Sequence, residues 1–165
     1  MYYCKFHSPL GEMVATSDGE NLTGLYFSQQ KYFDSKILLN YIQQEDLNIF
    51  KKLKRYLNDY FSGKIVDNSN ILIKLNGTEY QKMVWEILSH IPYGKTMSYK
   101  QIADIISKKT NKKPSARAVG RAVGHNPISI IVPCHRVISA SGDLTGYAGG
   151  IDKKIALLKI EKILK

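Results

Sequence analysis

The chain changes character at Thr78. Ahead of it, short runs of β-forming residues alternate with turn pairs; beyond it, helix-start signals and three- and four-residue apolar spacing recur. A sequence divided this way is expected to fold as a strand-rich unit followed by a helical one. The expectation is therefore an α/β (α+β) chain with domains at residues 1–77 and 78–165. In the first, Tyr2–His7, Glu12–Ser17 and Asn21–Phe27 read as strands of an antiparallel meander, turning at Ser8-Pro9-Leu10-Gly11 and at Asp18-Gly19. Ile37–Ile42 is apolar but of no readable type. Leu47, Phe50, Leu53, Leu57, Tyr60 and Phe61 mark one face of an amphipathic helix that Gly63 stops, and Ile71–Leu75 reads as one more strand.

In the second half, Thr78 and Gln81 fit a capping box, opening a helix whose buried side carries Met83, Ile87, Leu88 and Ile91. Ser98 is an N-cap candidate for Tyr99–Ser107, and the lysine-rich Lys108–Pro114 reads as a loop. Ser115 then opens Ala116–Gly124, a helix of small residues with Arg117 and Arg121 four apart on one face. Two short helices, the second bearing arginines, make a variant helix-turn-helix candidate, with an ordinary helical pair as the plain alternative. Ile155–Leu164 reads as a C-terminal helix with Ile155, Leu158 and Ile163 inward.

Charge follows the same division. Of the net +10, residues 1–77 carry +1 and residues 78–165 carry +9, and three of the four arginines (Arg117, Arg121, Arg136) lie within twenty residues. A basic half with clustered arginine points to a polyanionic partner, against the simpler reading of a solvated basic face. No apolar run approaches the ~18 residues of a spanning helix, and the N-terminus has no apolar signal segment. Cys4 and Cys134 are too few for a disulfide framework or a cysteine-based zinc site.

The most specific segment is Pro133-Cys134-His135-Arg136, entered through the apolar run Ile128–Val132. That run reads as a buried strand ending at a turn fixed by proline, with the Cys134 thiol at a site rim. A cysteine attacks as its thiolate, which nearby positive charge or a general-base histidine favours. Neighbours on a strand point apart, so His135 needs a turn, or a water, to serve Cys134. A carboxylate should orient the histidine, and Glu161 is a candidate among the six acids of the second half. The segment from Gly142 to Gly150, with four glycines in nine residues, can bring backbone groups close to a flat ligand. Cys4 reads as a packing residue, and His90 and His125 carry no signal of their own.

These motifs resemble the O6-alkylguanine-DNA alkyltransferases, also called methylated-DNA–protein-cysteine methyltransferases. The resemblance rests on Ile130-Ile131-Val132-Pro133-Cys134-His135-Arg136-Val137, on Ala116-Arg117-Ala118-Val119-Gly120 and on Asn126-Pro127. It is strongest from Thr78 to Glu161. It implies a small ribonuclease-H-like N-terminal sheet domain and a helical C-terminal domain whose helix-turn-helix lies in the DNA minor groove. It implies that Cys134 takes the alkyl group from O6-alkylguanine, and from O4-alkylthymine, irreversibly and once per molecule. His135 and Glu161 would relay a proton, Asn126 would hold the network, and Tyr99 would donate toward the leaving oxygen. Arg117 would fill the gap left by the flipped base, with Tyr99, Lys100, Ser115, Ala116, Ala118 and Arg121 also at the DNA. Val123, Val137, Tyr147, Ala148 and Gly149 would line the base pocket, where Ala148 replaces a serine of some members. No metal and no other cofactor is implied. The partner would be double-stranded DNA and not a membrane, and the protein a cytoplasmic monomer, nucleoid-associated in a prokaryote.

Two other readings compete. Family members that carry tryptophan in place of the cysteine bind lesions without transfer, and Cys134 argues against that class. A Cys-His hydrolase of small acyl substrates would turn over repeatedly and ignore DNA.

Overall fold

The computed structural model describes residues 1–165. They form two compact units: Met1–Asn76 with Pro127–Ser129, and Gly77–Asn126 with Ile130–Lys165.

The first unit is built on β1 (Tyr2–Ser8), β2 (Gly11–Ser17), β3 (Leu22–Phe27) and the short β4 (Ile42–Gln43). The sheet order is β3-β2-β1-β4, with antiparallel hairpins and β4 parallel to β1. Every residue from Met13 to Ser17 is buried, so the middle strand is covered on both faces. α1 (Asn48–Phe61) buries Ile49, Phe50, Leu53, Leu57 and Tyr60, and Gly63 follows it at φ 82°. Pro127–Ser129 joins this unit through backbone bonds from Leu25 N to Pro127 O (2.8 Å) and from Ser129 N to Leu25 O (2.9 Å).

Two expectations for this unit need correction. Ile71–Leu75 is not a strand: an isolated parallel bridge joins Ile73 to Leu22, flanked by bonds from Leu22 N to Leu72 O and from Lys74 N to Leu22 O. The apolar Ile37–Ile42 resolves into a 3₁₀ turn, Ser35–Asn40, capped by the Asp34 side chain, and then β4. Of it, Leu38 is buried while Leu39 (85%) and Ile42 (61%) are exposed, which explains why its periodicity was unreadable.

The second unit holds α2 (Glu79–Ser89), β5 (Met97–Ser98), α3 (Tyr99–Thr110), α4 (Ala116–Gly124), β6 (Val137–Ile138) and α5 (Ile151–Ile160). The expected Thr78–Gln81 capping box forms in full, and the N-cap Ser98 makes a second one with Gln101. The Ser115 hydroxyl caps α4 by accepting from Ala118 N. Trp85, buried on α2, donates its indole N–H to Ala122 O at 2.8 Å and so ties α2 to α4. Gly77 is required beside it: a Cβ there would lie 2.5 Å from the Trp85 ring. β5 pairs in parallel with β6, which brings the start of α3 beside the chain that follows Cys134.

Three boundaries differ from expectation. α3 continues through Lys108 and Lys109 to Thr110, whose hydroxyl donates back to Ile106 O. Asn111 ends it in the left-handed region at φ 55°, so the link to α4 is shorter than Lys108–Pro114 implied. α5 starts at Ile151 rather than Ile155, and its buried positions are Lys154, Leu157 and Leu158. Finally, Ile128–Val132 is a buried turn and not a strand. Ile128 bridges to Leu25, and Ile130 takes φ 69°, a strained conformation for a β-branched residue. The run passes from one unit to the other, so it has no ladder to extend. No helix is long and apolar enough to cross a membrane.

Candidate active site

The site lies within the second unit. Pro133, at φ −83° and ψ 64°, leads into a single 3₁₀ turn formed by Cys134, His135 and Arg136. The turn matters because it frees consecutive side chains from strand alternation. Cys134 is only 5% exposed, so its thiol is sealed in rather than set at a rim, and His135 is fully buried.

Asn126, just past α4, holds the entry to this turn. Its amide Nδ2 donates to Val132 O at 2.7 Å and to Cys134 Sγ at 3.1 Å. Burial pushes the thiol pKa upward. The Asn126 hydrogen bond, the charge of Lys154 and the backbone N–H groups of Cys134 and His135 pull it back. Tyr99 opens α3 and donates its hydroxyl to Thr145 O at 3.3 Å. Its own pKa is raised by burial and then by the neighbouring Cys134. The Tyr99 ring passes close to Gly120 of α4 and its hydroxyl to Gly146, each about one van der Waals contact from where a Cβ would sit. Gly146 also takes φ 59°, a left-handed conformation that favours glycine there.

Behind the thiol lies a buried ionic cluster. Glu161, the C-cap of α5, receives His135 Nε2 at 2.6 Å on one oxygen. Arg136 forks onto both oxygens, Nε at 2.8 Å and Nη2 at 3.0 Å, while Gly94 N donates at 3.2 Å. The remaining Arg136 nitrogen, Nη1, donates to Ile91 O at 2.6 Å, and the guanidinium lies 5.8 Å from the Tyr93 ring centroid. Burial would raise the Glu161 pKa, but the hydrogen bonds and charges of His135 and Arg136 hold it at about 2. Burial lowers the His135 pKa despite Glu161, with Arg136 and Lys154 opposing its protonation too. The pair is thus a neutral imidazole donating to a carboxylate, and Arg136 is the true counter-charge of Glu161. A neutral, Glu-oriented histidine is a competent proton acceptor.

Cys134, His135, Glu161, Asn126, Tyr99 and Val137 are therefore gathered in one place. Val123 is buried on the inner side of α4, and Tyr147, Ala148 and Gly149 form a half-buried loop. Lys100, Ser115, Ala116, Arg117 and Arg121 stand apart on the exposed starts of α3 and α4 and on the outer face of α4, with Ala118 half-buried among them. Sequence reasoning missed two members. Arg136 was assigned to the cysteine motif but not to Glu161. Lys154 was missed altogether: it is fully buried, and its Nζ donates to Val137 O at 2.5 Å, Thr145 O at 3.2 Å and Gly146 O at 3.4 Å. Its spacing three and four residues before Leu157 and Leu158 is the signal that could have found it.

A buried, hydrogen-bonded cysteine beside a glutamate-oriented histidine defines a protein that reacts through its thiol. The match to known proteins makes that class specific. Residues 1–75 match the ribonuclease-like domain of 6-O-methylguanine DNA methyltransferase, and residues 79–163 match its DNA-binding domain. The chain belongs to this family. It is 44% identical to a methylated-DNA–protein-cysteine methyltransferase of Mycobacterium tuberculosis, over 98% of this chain and 93% of that one. It is 38% identical to the Haemophilus influenzae protein of the same name, over 99% of this chain and 87% of that one. The fold matches the crystal structure of Mycobacterium tuberculosis OGT in complex with DNA, with a TM-score of 0.86, 42% identity, and 98% and 93% of the two chains covered. It also matches an O6-methylguanine DNA methyltransferase from Methanococcus jannaschii, at TM-score 0.65, 30% identity, and coverage of 98% and 94%.

Proposed function

We infer that this protein repairs DNA by moving the alkyl group of O6-alkylguanine, and of O4-alkylthymine, onto Cys134. The observation that carries the assignment of residues is the Asn126–Cys134–His135–Glu161 arrangement: a thiol held by an amide donor, next to a neutral histidine anchored on an ionised carboxylate. In the reaction, the Cys134 thiol proton passes to His135 by way of a water, and Glu161 stabilises the imidazolium that forms. The thiolate attacks the alkyl carbon; the S–C bond forms as the C–O6 bond breaks. The electron pair stays on the guanine, which is neutralised by a proton delivered through the Tyr99 hydroxyl. The thioether is stable, so no cofactor is needed and each molecule acts once.

The exposed small-residue helix α4 supports minor-groove contact, since Ala116, Ala118 and Gly120 permit close approach to a backbone. Arg117 fills the vacancy of the flipped nucleotide, with Ser115, Lys100 and Arg121 on phosphates, and the +9 of residues 78–165 supplies salt-sensitive attraction. Val123, Val137, Tyr147, Ala148 and Gly149 line the base pocket, where the Ala148 backbone N–H replaces the missing hydroxyl. The protein acts as a monomer in the cytoplasm, at the nucleoid in a prokaryote. The domain boundary of this reading, 77/78, falls one residue after the Asn76/Gly77 break between the compact units, and Pro127–Ser129 groups with the first unit.

The test is the intact mass of the protein after mixing with a duplex containing O6-methylguanine. One methyl group on the Cys134 peptide, saturating at one equivalent, is the expected result. Binding without mass gain would instead establish a lesion sensor, and repeated turnover of a small ester would establish a hydrolase.

A further inference from the structure

The first unit contains an open cavity of about 600 Å³ that shares no residue with the Cys134 site, and every residue lining it belongs to that unit. Its floor is the outer half of the β2–β3 hairpin. There Thr16 pairs with Gly24 and Ser17 with Leu22, so Thr23 is the extra residue of a β-bulge. Bulges re-aim side chains, and this one sets the Thr23 hydroxyl 2.9 Å from that of Thr16, with both threonines buried. The pair uses one of its two protons on itself and leaves the other for a further acceptor. Gly24 is part of the same construction. A Cβ there would collide with both the Tyr26 ring and Thr16 Oγ1, so only glycine lets the ring and the hydroxyl share this face.

The wall is aromatic. Tyr26 stacks on Phe33, with ring centroids 4.4 Å apart and planes within 15°. Tyr32 and Tyr41 add two more rings, and Tyr32 is held at φ 66°, a rare conformation for a bulky residue. Burial, and then Tyr41, push the Tyr26 pKa up to about 12, so its phenol stays neutral. The rim is polar: Asn40 and Asn76 line it with exposed amides, each both donor and acceptor, and Lys36 is exposed beside them. These charges disfavour a cationic guest. Lys36 is positive, Lys31 already sits 4.9 Å from the Tyr32 ring centroid, and Asp34 is engaged in capping the 3₁₀ turn. A purely apolar guest would leave the threonine hydroxyls without an acceptor.

We propose that this cavity is a second binding site, which takes a nucleotide: the base lies against the aromatic wall, its edge meets the threonine hydroxyls and the amides, and its phosphate reaches Lys36. The volume lies within the range of small-molecule sites, and stacking on aromatic side chains accepts any base. A free nucleotide and an unpaired nucleotide of a single strand offer the same chemistry. The site goes beyond the transfer reading and does not rest on it.

The experiment is a titration of the full chain with each of the four deoxynucleoside monophosphates and with a short single-stranded trinucleotide, followed by amide chemical shifts. The expected result is a set of saturable shifts at Thr16, Thr23, Gly24, Tyr26 and Phe33, with a dissociation constant of about 1 mM or below. Shifts from the monophosphates assign the site to free nucleotides, and shifts from the trinucleotide alone assign it to a strand; either supports it. Phe33→Leu removes a stacking ring and should weaken binding by about fivefold or more. Thr23→Val keeps the shape, removes a hydroxyl and should weaken it as well. Both variants should still take one methyl group from an O6-methylguanine duplex, which shows that they are folded. Shifts that never saturate, that fall on α4 and the Gly142–Gly150 loop instead, or that ribose 5-phosphate produces equally without a base would overturn the proposal. So would unchanged affinity in both variants.

Discussion

The molecule contains two buried free cysteines, and their contrast shows what turns a thiol into a nucleophile. Cys4 lies mid-strand in β1, 0% exposed and opposite Ala15 in the ladder. Burial pushes its pKa up to about 11; Lys54 pulls it down, Glu45 pushes it up again and the Ala15 backbone bond helps a little. Burial pushes Cys134 upward as well. The difference lies in what is aimed at the sulfur. At Cys134 an amide donor, a buried ammonium and two backbone N–H groups all favour the anion, and a neutral histidine stands ready for the proton. Burial alone makes an inert thiol, and burial with convergent donors makes a poised one.

The largest effect expected is the loss of one of the two. Cys134→Ser should abolish methyl uptake from an O6-methylguanine duplex while leaving duplex binding intact, because a serine hydroxyl is far harder to ionise. Intact mass and a binding titration check the two halves. Residual transfer in Cys134→Ser, or transfer lost in Cys4→Ser, would break the contrast.

Next is the support behind Cys134. Glu161→Gln leaves Arg136 and His135 buried without their anion, which should cost about 3–5 kcal/mol in a denaturant titration. The sign of its pH dependence follows from the depressed pKa. Glu161 stabilises the fold in full above its ordinary value of 4.5, and that stability is lost as pH falls through about 2. Wild type should therefore weaken between about pH 4.5 and 2, and the Gln variant should lack that part of the slope. Cys4 has no comparable support, so no single charge removal near it should cost as much.

How much of this was legible beforehand differs between the same two regions. The capping box at Thr78, the N-cap at Ser98 and the turn pairs of the meander are local signals, and they place α2, α3, β1, β2 and β3 within a residue or two at their starts. The Cys-His pair and a carboxylate at Glu161 were readable because nucleophilic chemistry needs those types together. What failed depended on distant partners. The Ile128–Val132 run looked like a strand because its apolar residues are buried, but burial there comes from a turn with Ile130 at positive φ. Lys154 was hidden by placing α5 four residues late, which left it outside the helix and off its buried stripe. A lysine on a buried stripe contradicts the pattern rule, and such contradictions concentrate where chemistry is done. The Arg136 fork onto Glu161 spans 25 residues and could be found only from the fold.

A smaller effect concerns delivery of the base rather than the thiol. Arg117 is exposed on α4 and shares no hydrogen bond with the cysteine cluster. Arg117→Ala should slow repair of duplex DNA by about tenfold or more, given that extruding a base costs a few kcal/mol, while reaction with free O6-methylguanine stays near wild type. Single-turnover rates on the two substrates measure the split. Equal losses would place Arg117 in the cysteine network, and so sharpen the boundary between holding the thiol and presenting the lesion.

The smallest effect should come from Cys4 itself. Cys4→Ala removes one buried sulfur from a strand whose neighbours Met13 and Ala15 are also fully buried, leaving a small cavity. The cost should be about 1 kcal/mol, less than for truncating a larger core side chain, because few atoms are lost. Methyl transfer should be unchanged in amplitude and rate. In wild type, with a pKa of about 11, Cys4 should also resist iodoacetamide at neutral pH in the folded protein and react only on unfolding. Peptide mapping before and after denaturation checks this. Labelling of native Cys4 at a rate near that of Cys134 would mean that the sheet opens often enough to expose it, and the contrast would then rest on access rather than on the groups aimed at each sulfur.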